Sequence, residues 1–322
     1  MNYDIFNGDA DGIIALLQLR LANPIESTLI TGVKRDIQLL RKVAAQPGDD
    51  VTVLDISMEK NIDALTPLLA AGVKVFYADH HRSGAIPESD NLSAHIDLDP
   101  NTCTSLIVDK HLKGQYHYWA IAAAYGDNLM AAADELCSLA GLTAEQAAQL
   151  NELGTLINYN GYGSSISDLH FEPAALYTAL KAYPNPFDAI ADKASPFYQL
   201  QAAYGQDMAK AQAVNALHES SNLAVFELPN EAWAKRISGV YGNYLANKNP
   251  NLAHAVLTDN EDDTYTVSLR APLTNKQGAG DICSQFETGG GRAAAAGINA
   301  LNKGELGEFM LATEQYYRAI DE

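Results

Sequence analysis

The sequence predicts a parallel, doubly wound α/β domain followed by a smaller second domain. Over the first half of the chain, short β-branched apolar runs alternate with amphipathic segments, the pattern of strands joined by crossover helices. The length of 322 residues exceeds what one ordinary core supports, and 47% hydrophobic content is typical of globular proteins. We place the first domain at residues 1–195, a helical connector at 196–222 and the second domain at 223–322.

The first strand–turn–helix unit places two carboxylates in one tight turn. Residues 3–6 predict a strand and residues 13–19 an amphipathic helix, with Asp9 and Asp11 between them. Like charges this close repel unless a cation neutralises them. The alternative is an Asx-type turn with an aspartate as helix cap. A cap requires only one aspartate, so we favour a metal site here.

The same pattern then repeats along the chain. Strands are predicted at residues 28–30 and 51–55, the second of which closes on Asp55. Helices are predicted at residues 36–43, begun by an aspartate cap, and at residues 60–71. An acidic residue at the end of one strand is weak evidence for a functional site. Asp55 is a stronger candidate because the neighbouring strands also end on acidic or imidazole side chains.

The next strand leads to an unusual triplet. Residues 72–76 have the length and β-branched content of a buried parallel strand, and Asp79, His80 and His81 follow shortly after. Residues just past the carboxyl end of a parallel strand line the ligand crevice. A carboxylate beside imidazoles is a donor set that Mn²⁺ and similar ions accept. Two solvated loop histidines are the alternative, which the convergence with the earlier acids disfavours.

The rest of the first domain is predicted to be mostly helical. Asp127 directly follows a predicted helix and, taken alone, is a plain turn residue. Residues 158–165 form a polar, glycine-rich loop whose tyrosines suit base stacking, although a surface connection is the simpler interpretation. Other predicted elements are a strand at 94–98, a helix capped by Thr102 or Thr104 that runs to His111, and helices at 118–125, 143–153, 173–182 and 197–220.

The second domain carries a glycine-rich segment. Gly289, Gly290 and Gly291 precede an alanine run at residues 293–296, which predicts a nest of backbone N–H groups at a helix N-terminus, suited to an anion. Arg292 adds a fork-shaped donor for phosphate. The other elements predicted here are strands at 223–228, 253–258 and 264–269, a helix at 231–246 and a helix start and turn at 278–286.

Composition narrows the class of partner. The chain has 40 Asp and Glu against 21 Lys and Arg, a formal net charge of −19. Long nucleic acid is captured by a basic surface, so we expect a small phosphorylated substrate instead. Cys103, Cys137 and Cys283 lie far apart and indicate neither a zinc knuckle nor a disulfide framework. Without a basic leader or a bilayer-length apolar run, we expect a cytoplasmic protein with no membrane partner.

Together the motifs resemble those of the DHH phosphoesterase superfamily, in their order and approximate spacing. The resemblance covers nearly the whole chain. It implies a parallel DHH domain, a smaller α+β DHH-associated domain and, in the cleft between them, two Mn²⁺ ions, or Mg²⁺ in their place, that activate water for attack on a phosphate. The matching segments are residues 9–12, 54–55, 79–81 and 126–128, and, for the associated domain of the nano-RNase branch, 267–270 and 289–292.

The resemblance also implies a role for each matched residue. His81 is expected to contact the phosphate and Asp79 to orient a neighbouring histidine. The resemblance implies metal ligands at Asp9, Asp55, His80 and Asp127, with Asp55 as the bridge, and the acidic turn adds Asp11 as a further expected ligand. Substrate contacts are expected at Asn7, Arg270, Gly289, Gly290, Gly291 and Arg292.

Two positions depart from the family pattern. Asn7 stands where many members carry an aspartate, and a neutral amide is a poorer ligand, so one metal site is weak or filled differently unless Asp11 compensates. The histidine often found further upstream is also missing. Arg292 stands where histidine is usual, and it keeps a phosphate donor that does not switch charge near neutral pH. That substitution favours a purely binding role.

We therefore expect a Mn²⁺-dependent phosphoesterase that hydrolyses phosphodiester or phosphomonoester bonds of short oligonucleotides, dinucleotides or nucleotides. A single-strand-specific exonuclease of the same superfamily needs a basic channel, and none is visible. A pyrophosphatase suits the glycine-rich segment less well. Asn7 motivates a third alternative, a nucleotide-binding regulatory protein with a degenerate metal site. The substrate, the cleavage polarity and the existence of a homodimer stay open.

Overall fold

The computed structural model of the chain describes residues 1–318, which form two compact units that divide between Ala202 and Ala203. The predicted second domain runs to residue 322, so its last residues, 319–322, lie outside the described part. None of the helices within residues 1–318 has the length and apolar character needed to cross a membrane.

A five-stranded, all-parallel sheet organises the first unit, as the sequence predicts. Its strands are β1 (Asn2–Phe6), β2 (Thr28–Ile30), β3 (Asp50–Leu54), β4 (Lys74–Asp79) and β5 (Leu92–Ile96), in the order β2-β1-β3-β4-β5. Ile5, Val53 and Val75 are buried because helices cover a parallel sheet on both faces. In a sheet of this order the ligand crevice lies beyond the carboxyl ends of β1 and β3, where the chain direction of the winding reverses.

Eight helices of the described chain lie wholly in this unit, and a ninth begins in it and ends in the second unit. The first of them is buried along almost its whole length, from Ala10 to Arg20. They are α1 (Ala10–Ala22), α2 (Met58–Ala70), α3 (Thr104–His111), α4 (His117–Gly126), α5 (Met130–Leu139), α6 (Ala144–Gly161), α7 (Pro173–Leu180), α8 (Pro186–Ala191) and α9 (Pro196–Gln212).

Some helix predictions are wrong in extent. The helix expected at 36–43 is only a 3₁₀ turn, Leu39–Lys42, because the Asp36 carboxylate accepts a hydrogen bond from the backbone N–H of Val33 at 3.3 Å and stabilises a local turn. α3 begins after Cys103, whose side chain makes no capping bond, and not after a threonine cap. The polar segment at 158–161 is no loop, since it forms the buried last turn of α6.

The second unit is a mixed sheet with helices, which confirms the predicted α+β class. Its strands are β6 (Ala216–Glu219), β7 (Leu223–Leu228), β8 (Ala253–Asp259), β9 (Thr264–Arg270), β10 (Gly289–Gly291) and β11 (Ala295–Asn302), ordered β10-β11-β9-β8-β7-β6. β7 and β8 pair in parallel and the other neighbours antiparallel. The helices are α10 (Ala232–Lys248), α11 (Ala279–Cys283) and α12 (Leu306–Arg318). Leu257, Val267, Ile298 and Phe309 lie in its core.

Two predictions for this half of the chain need correction. The expected helix at 197–220 stops at Gln212, and the residues that follow enter the sheet as β6. The nest at a helix N-terminus is wrong, because the glycines form β10 and the alanine run leads into β11. Ala296 and Ile298 alternate into the core, and this period-two pattern was the available signal for a strand.

In the first unit, helices α4 and α6 cross at a glycine. A Cβ added at Gly154 would lie 1.8 Å from the carbonyl oxygen of Ala122, and one at Gly126 would lie 2.7 Å from Cβ of Ala10. The absence of these atoms lets the end of α4, the middle of α6 and the start of α1 approach one another. This close approach brings Asp127, which follows α4, to the same place as Asp9.

We expect Gly154→Ala to lower the free energy of unfolding of the first unit by about 1–3 kcal/mol, because overpacking forces two helices apart. Gly205→Ala is the helical control, in the part of α9 that belongs to the second unit: a Cβ there meets no described atom within 4 Å, and replacing a helical glycine should stabilise that unit by about 0.5–1 kcal/mol. Urea denaturation followed by circular dichroism measures both. Equal stability of the two variants would contradict the packing argument.

Candidate metal centre

The carboxyl edge of the first sheet gathers most of the side chains that the sequence analysis selected. They arrive from the residues just after β1 and β3, from the end of β4 and the turn after it, and from the ends of α1 and α4. The set comprises Asp9, Asp11, Asp55, Asp79, His80, His81 and Asp127, whose side chains, except that of His81, are largely buried.

His80 directs its Nε2 towards three carboxylates. Its Nδ1 lies 3.0 Å from the carbonyl oxygen of Thr102, which can only accept, so Nδ1 carries a proton. Nε2 lies 3.4 Å from Asp55 Oδ1, 3.7 Å from Asp11 Oδ2 and 4.0 Å from Asp127 Oδ2. Anionic oxygens that converge on one imidazole nitrogen are stabilised by a positive charge between them, either a proton on that nitrogen or a metal ion. The arrangement therefore fits a cation site.

The separations also fit the size of a divalent ion. Donor atoms about 2.1 Å from an octahedral ion lie about 3.0 Å apart when adjacent and about 4.2 Å apart when opposite. The three distances from His80 Nε2 fall in this range. One donor atom from each of Asp55, His80 and His81 also lies within 4.8 Å of the others. Carboxylate oxygens with imidazole nitrogens suit an ion such as Mn²⁺.

Asp55 is held in a strained and electrostatically unfavourable position. Its φ of 58° is in the left-handed region, which aspartate tolerates better than most residues. Its Oδ1 accepts from Thr104 Oγ at 3.3 Å. Burial, and then the charges of Asp9 and Asp11, raise the pKa of Asp55 well above its ordinary value. A bound cation would relieve this cost, as expected of a ligand.

His81 is oriented by Asp79, the contact that the family resemblance leads us to expect. His81 Nδ1 lies 2.7 Å from Asp79 Oδ1, which fixes the proton on Nδ1 and leaves Nε2 available. The other oxygen of Asp79 is buried without a hydrogen-bond partner among the described residues. The His81 side chain is 34% exposed, so its ring can meet a ligand.

Both aspartates of the first turn also have structural tasks. Asp9 is the N-cap of α1 and accepts from the N–H of Gly12 at 3.1 Å. Asp11 accepts from the backbone N–H groups of Thr104 and Ser105, each at 2.7 Å, and so anchors the start of α3. The assumption that only one aspartate serves as a cap fails, because the two serve different helices. Asp11 Oδ2 nevertheless faces His80.

A lysine that the sequence analysis missed lies inside this cluster. Lys34 Nζ forms an ion pair with Asp9 Oδ2, hydrogen bonds with Asn158 Oδ1 at 3.4 Å and lies 4.0 Å from Asp127 Oδ1. Burial raises the pKa of Asp9, but the Lys34 ammonium outweighs it and lowers that pKa below its ordinary value. The available signal was position, because Lys34 follows β2 at the same edge of the sheet as the ligands.

Asn7 is engaged within the protein. Its Nδ2 donates to the carbonyl oxygen of Lys34 at 3.0 Å, and its Oδ1 accepts from the N–H of Asp9 at 3.2 Å. Both polar atoms of this buried side chain therefore serve the backbone of the centre. The expected substrate contact of Asn7 stays a prediction that would require these bonds to be shared.

The remaining predicted site residues belong to the second unit. Arg270, at the end of β9, donates to Asn243 Oδ1 at 2.6 Å, Ser268 Oγ at 2.9 Å and the carbonyl oxygen of Gly239 at 3.1 Å. These bonds tie β9 to α10, a structural task for a buried guanidinium. Arg292 is exposed in the turn between β10 and β11.

Comparison with known proteins defines the fold. No family model matches the sequence, and no curated protein matches it. Among solved structures, the pGpG-specific phosphodiesterase PggH from Vibrio cholerae is 16% identical, with a TM-score of 0.58 over 98% of this chain and 99% of that one. An exopolyphosphatase-related protein from Bacteroides fragilis is 14% identical, with a TM-score of 0.52 over 100% and 93%.

RecJ from Thermus thermophilus, in complex with Mn²⁺, is 15% identical with a TM-score of 0.57. The match covers 99% of this chain but 52% of RecJ, so the chain spans about half of that protein. At these identities the likeness concerns the fold. The fold that the sequence motifs imply is confirmed by it.

We expect Asp55→Asn to stabilise the metal-free protein at neutral pH and to remove most of its stabilisation by Mn²⁺. Asparagine tolerates the positive φ and leaves no charge to bury. In the wild type the pKa of Asp55 is raised in the folded state, so its favourable contribution is complete below the unfolded pKa and is lost as pH rises through the folded pKa. Stabilisation by Mn²⁺ should therefore grow with pH.

Thermal melts with and without Mn²⁺, from acidic to mildly alkaline pH, test this. Asp50→Asn, at an exposed aspartate, is the control and should keep the wild-type response. A wild-type Mn²⁺ shift in Asp55→Asn would exclude this carboxylate as a ligand.

Proposed function

We propose that this chain, which has the fold of the DHH phosphoesterase superfamily, is a divalent-metal-dependent phosphoesterase that cleaves short nucleotide substrates. The observation that carries the proposal is the convergence of His80 Nε2 with the Asp55, Asp11 and Asp127 carboxylates at the carboxyl edge of the sheet. We assign the ion to Mn²⁺, with Mg²⁺ as the alternative, because the donors mix oxygen and nitrogen.

The ion would be held by Asp55, His80 and Asp127. When bound, it supplies a Lewis acid that polarises a phosphoryl oxygen and makes water more acidic. His80 is kept in the ligating tautomer by the Thr102 carbonyl, which holds its proton on Nδ1. His81 would meet the substrate phosphate in its imidazolium form, with Nδ1–H donating to Asp79 and Nε2–H of the partly exposed ring donating to a phosphate oxygen.

Short substrates fit the acidic chain. A net charge of −19 opposes the capture of long nucleic acid. The end-to-end likeness in length and fold to a pGpG-specific phosphodiesterase supports a linear dinucleotide or very short oligonucleotide as substrate. A single-strand exonuclease is the second candidate, which the likeness to RecJ favours, although the chain spans only about half of RecJ.

A nucleotide-binding regulatory protein is the alternative without catalysis. Asn7 and Lys34 motivate it, because both remove ligand capacity from the side of the centre around Asp9. The intact arrangement around His80 and Asp55 favours the enzyme. We further propose the reducing cytosol as its compartment, which suits three buried cysteines without a disulfide.

We expect the purified protein to release mononucleotides from pGpG or a similar phosphorylated dinucleotide when Mn²⁺ is present, and to act far more slowly on long single-stranded DNA. His80→Gln should lower kcat by more than about 100-fold, because losing even an outer-shell partner of a metal ligand costs about 10–100-fold. Labelled substrates separated by chromatography give the rates.

His117→Gln is the matched control. His117 Nδ1 lies 2.7 Å from Asp109 Oδ2, and neither residue is among the proposed metal ligands. Turnover retained in folded His80→Gln would refute the assigned ligand. If wild type turns over no phosphoester with any metal, the regulatory alternative replaces the enzyme.

For the second unit, we expect Arg292→Ala to raise KM for a dinucleotide by about 10- to 100-fold, the loss of one hydrogen bond to a charged group. Its turnover of a small nitrophenyl phosphodiester should be unchanged. Arg270→Ala should instead lower the melting temperature, because Asn243 and the Gly239 carbonyl lose their donor. Steady-state kinetics with both substrates test this prediction. If Arg292→Ala impairs hydrolysis of the two substrates equally, Arg292 does not act by binding the dinucleotide.

A further inference from the structure

The ammonium of Lys34 lies where the carboxylates around Asp9 converge. Three side-chain oxygens surround Nζ: Asp9 Oδ2 in an ion pair, Asn158 Oδ1 at 3.4 Å and Asp127 Oδ1 at 4.0 Å. An ammonium group has three donors and a compact positive charge, so it suits a site built from oxygens. Both Asp9 oxygens already have a donor in the protein, since Oδ1 accepts from the Gly12 N–H and Oδ2 pairs with the Lys34 ammonium.

The backbone of Lys34 is fixed at both of its polar groups. Its N–H donates to the carbonyl oxygen of Gly161 at 2.9 Å, and its carbonyl accepts from Asn7 Nδ2 at 3.0 Å. A Cβ at Gly161 would lie 2.9 Å from Cα of Asp9, so the glycine permits the end of α6 to approach this turn. The lysine is therefore built into the centre by elements from three parts of the chain.

The hydrogen bonds at position 7 require a side chain that both donates and accepts, as an amide does. An aspartate could accept from the Asp9 N–H but has no N–H to donate to the Lys34 carbonyl, and it would set a negative charge against that oxygen. The amide at position 7 and the lysine at position 34 thus support each other. We therefore treat Asn7, which departs from the family pattern, and Lys34 as a coupled pair.

We propose that the Lys34 ammonium, held by Asn7, takes the place of a second metal ion beside Asp9, so that this protein binds one divalent ion, at Asp55, His80 and Asp127. This inference rests on the proposed function for its first ion. The inference goes beyond the proposed function by fixing the number of ions at one. It also places the Lys34 ammonium next to Asp127, which then lies between that ammonium and the proposed ion beside His80.

The number of Mn²⁺ ions bound per chain tests the proposal without any substrate. Native mass spectrometry, with equilibrium dialysis and elemental analysis of the full chain, should give one ion for wild type. Asn7→Asp alone should also give one, because Lys34 remains. The double variant Asn7→Asp/Lys34→Met should give two, because it removes the ammonium and adds a carboxylate.

Lys42→Met, at an exposed lysine, is the matched control and should keep one ion. A crystal of the wild type with Mn²⁺ gives a second measurement that needs no variant: we expect one anomalous peak beside His80 and none in coordination distance of Asp9. This measurement decides the matter if the double variant does not fold.

Two ions in wild type, a second ion in Asn7→Asp alone, or one ion in a folded double variant would each overturn the proposal. The proposed function fails separately. If wild type binds one ion but cleaves no phosphoester, this inference stands and the proposed enzymatic function fails. If wild type cleaves substrate with two ions bound, the enzymatic function stands and this inference fails. Wild type that binds no ion overturns both.

Discussion

The cost of crowding carboxylates into a buried edge of a sheet governs this protein. Buried acids in mutual contact cannot all be ionised unless positive charge or hydrogen-bond donors compensate each of them. The chain compensates them one by one: Lys34 for Asp9, two backbone N–H groups for Asp11 and the His81 ring for Asp79. Asp55 accepts from the Thr104 hydroxyl, and it shares His80 Nε2 with Asp127, which also lies 4.0 Å from the Lys34 ammonium.

Helix packing serves the same purpose. The edge is completed only if α1, α4 and α6 come close, which the glycine at 154 permits by leaving room for the carbonyl of Ala122. Asp11 then reaches across to the first turn of α3 and sets Thr104 against Asp55. Stability and site geometry therefore depend on the same contacts, and a change that separates these helices would alter both.

The centre is asymmetric in its charges. One side, at Asp9, has a cation supplied by the protein, and the pKa of Asp9 lies below its ordinary value. On the other side, burial and the charges of Asp9 and Asp11 hold the pKa of Asp55 well above its ordinary value. Such opposite shifts in neighbouring carboxylates are typical of functional sites. The net charge of −19 accords with the small phosphorylated substrate proposed for this centre.

The sequence alone determined the class of fold and which acidic and imidazole side chains meet at one edge of the sheet. Alternating strands and helices predict a parallel sheet, and the carboxyl ends of parallel strands meet at one edge, so Asp9, Asp55 and His80 had to converge. Only the tertiary structure decided how each charge is compensated. The relevant contacts join residues from separate elements, and no local sequence pattern encodes them: Lys34 with Asp9, Asp11 with the start of α3, and Asn7 with Lys34. For the same reason the glycine run became a strand: its pairing with β11, and that of β11 with β9, outweighed its local resemblance to the start of a helix.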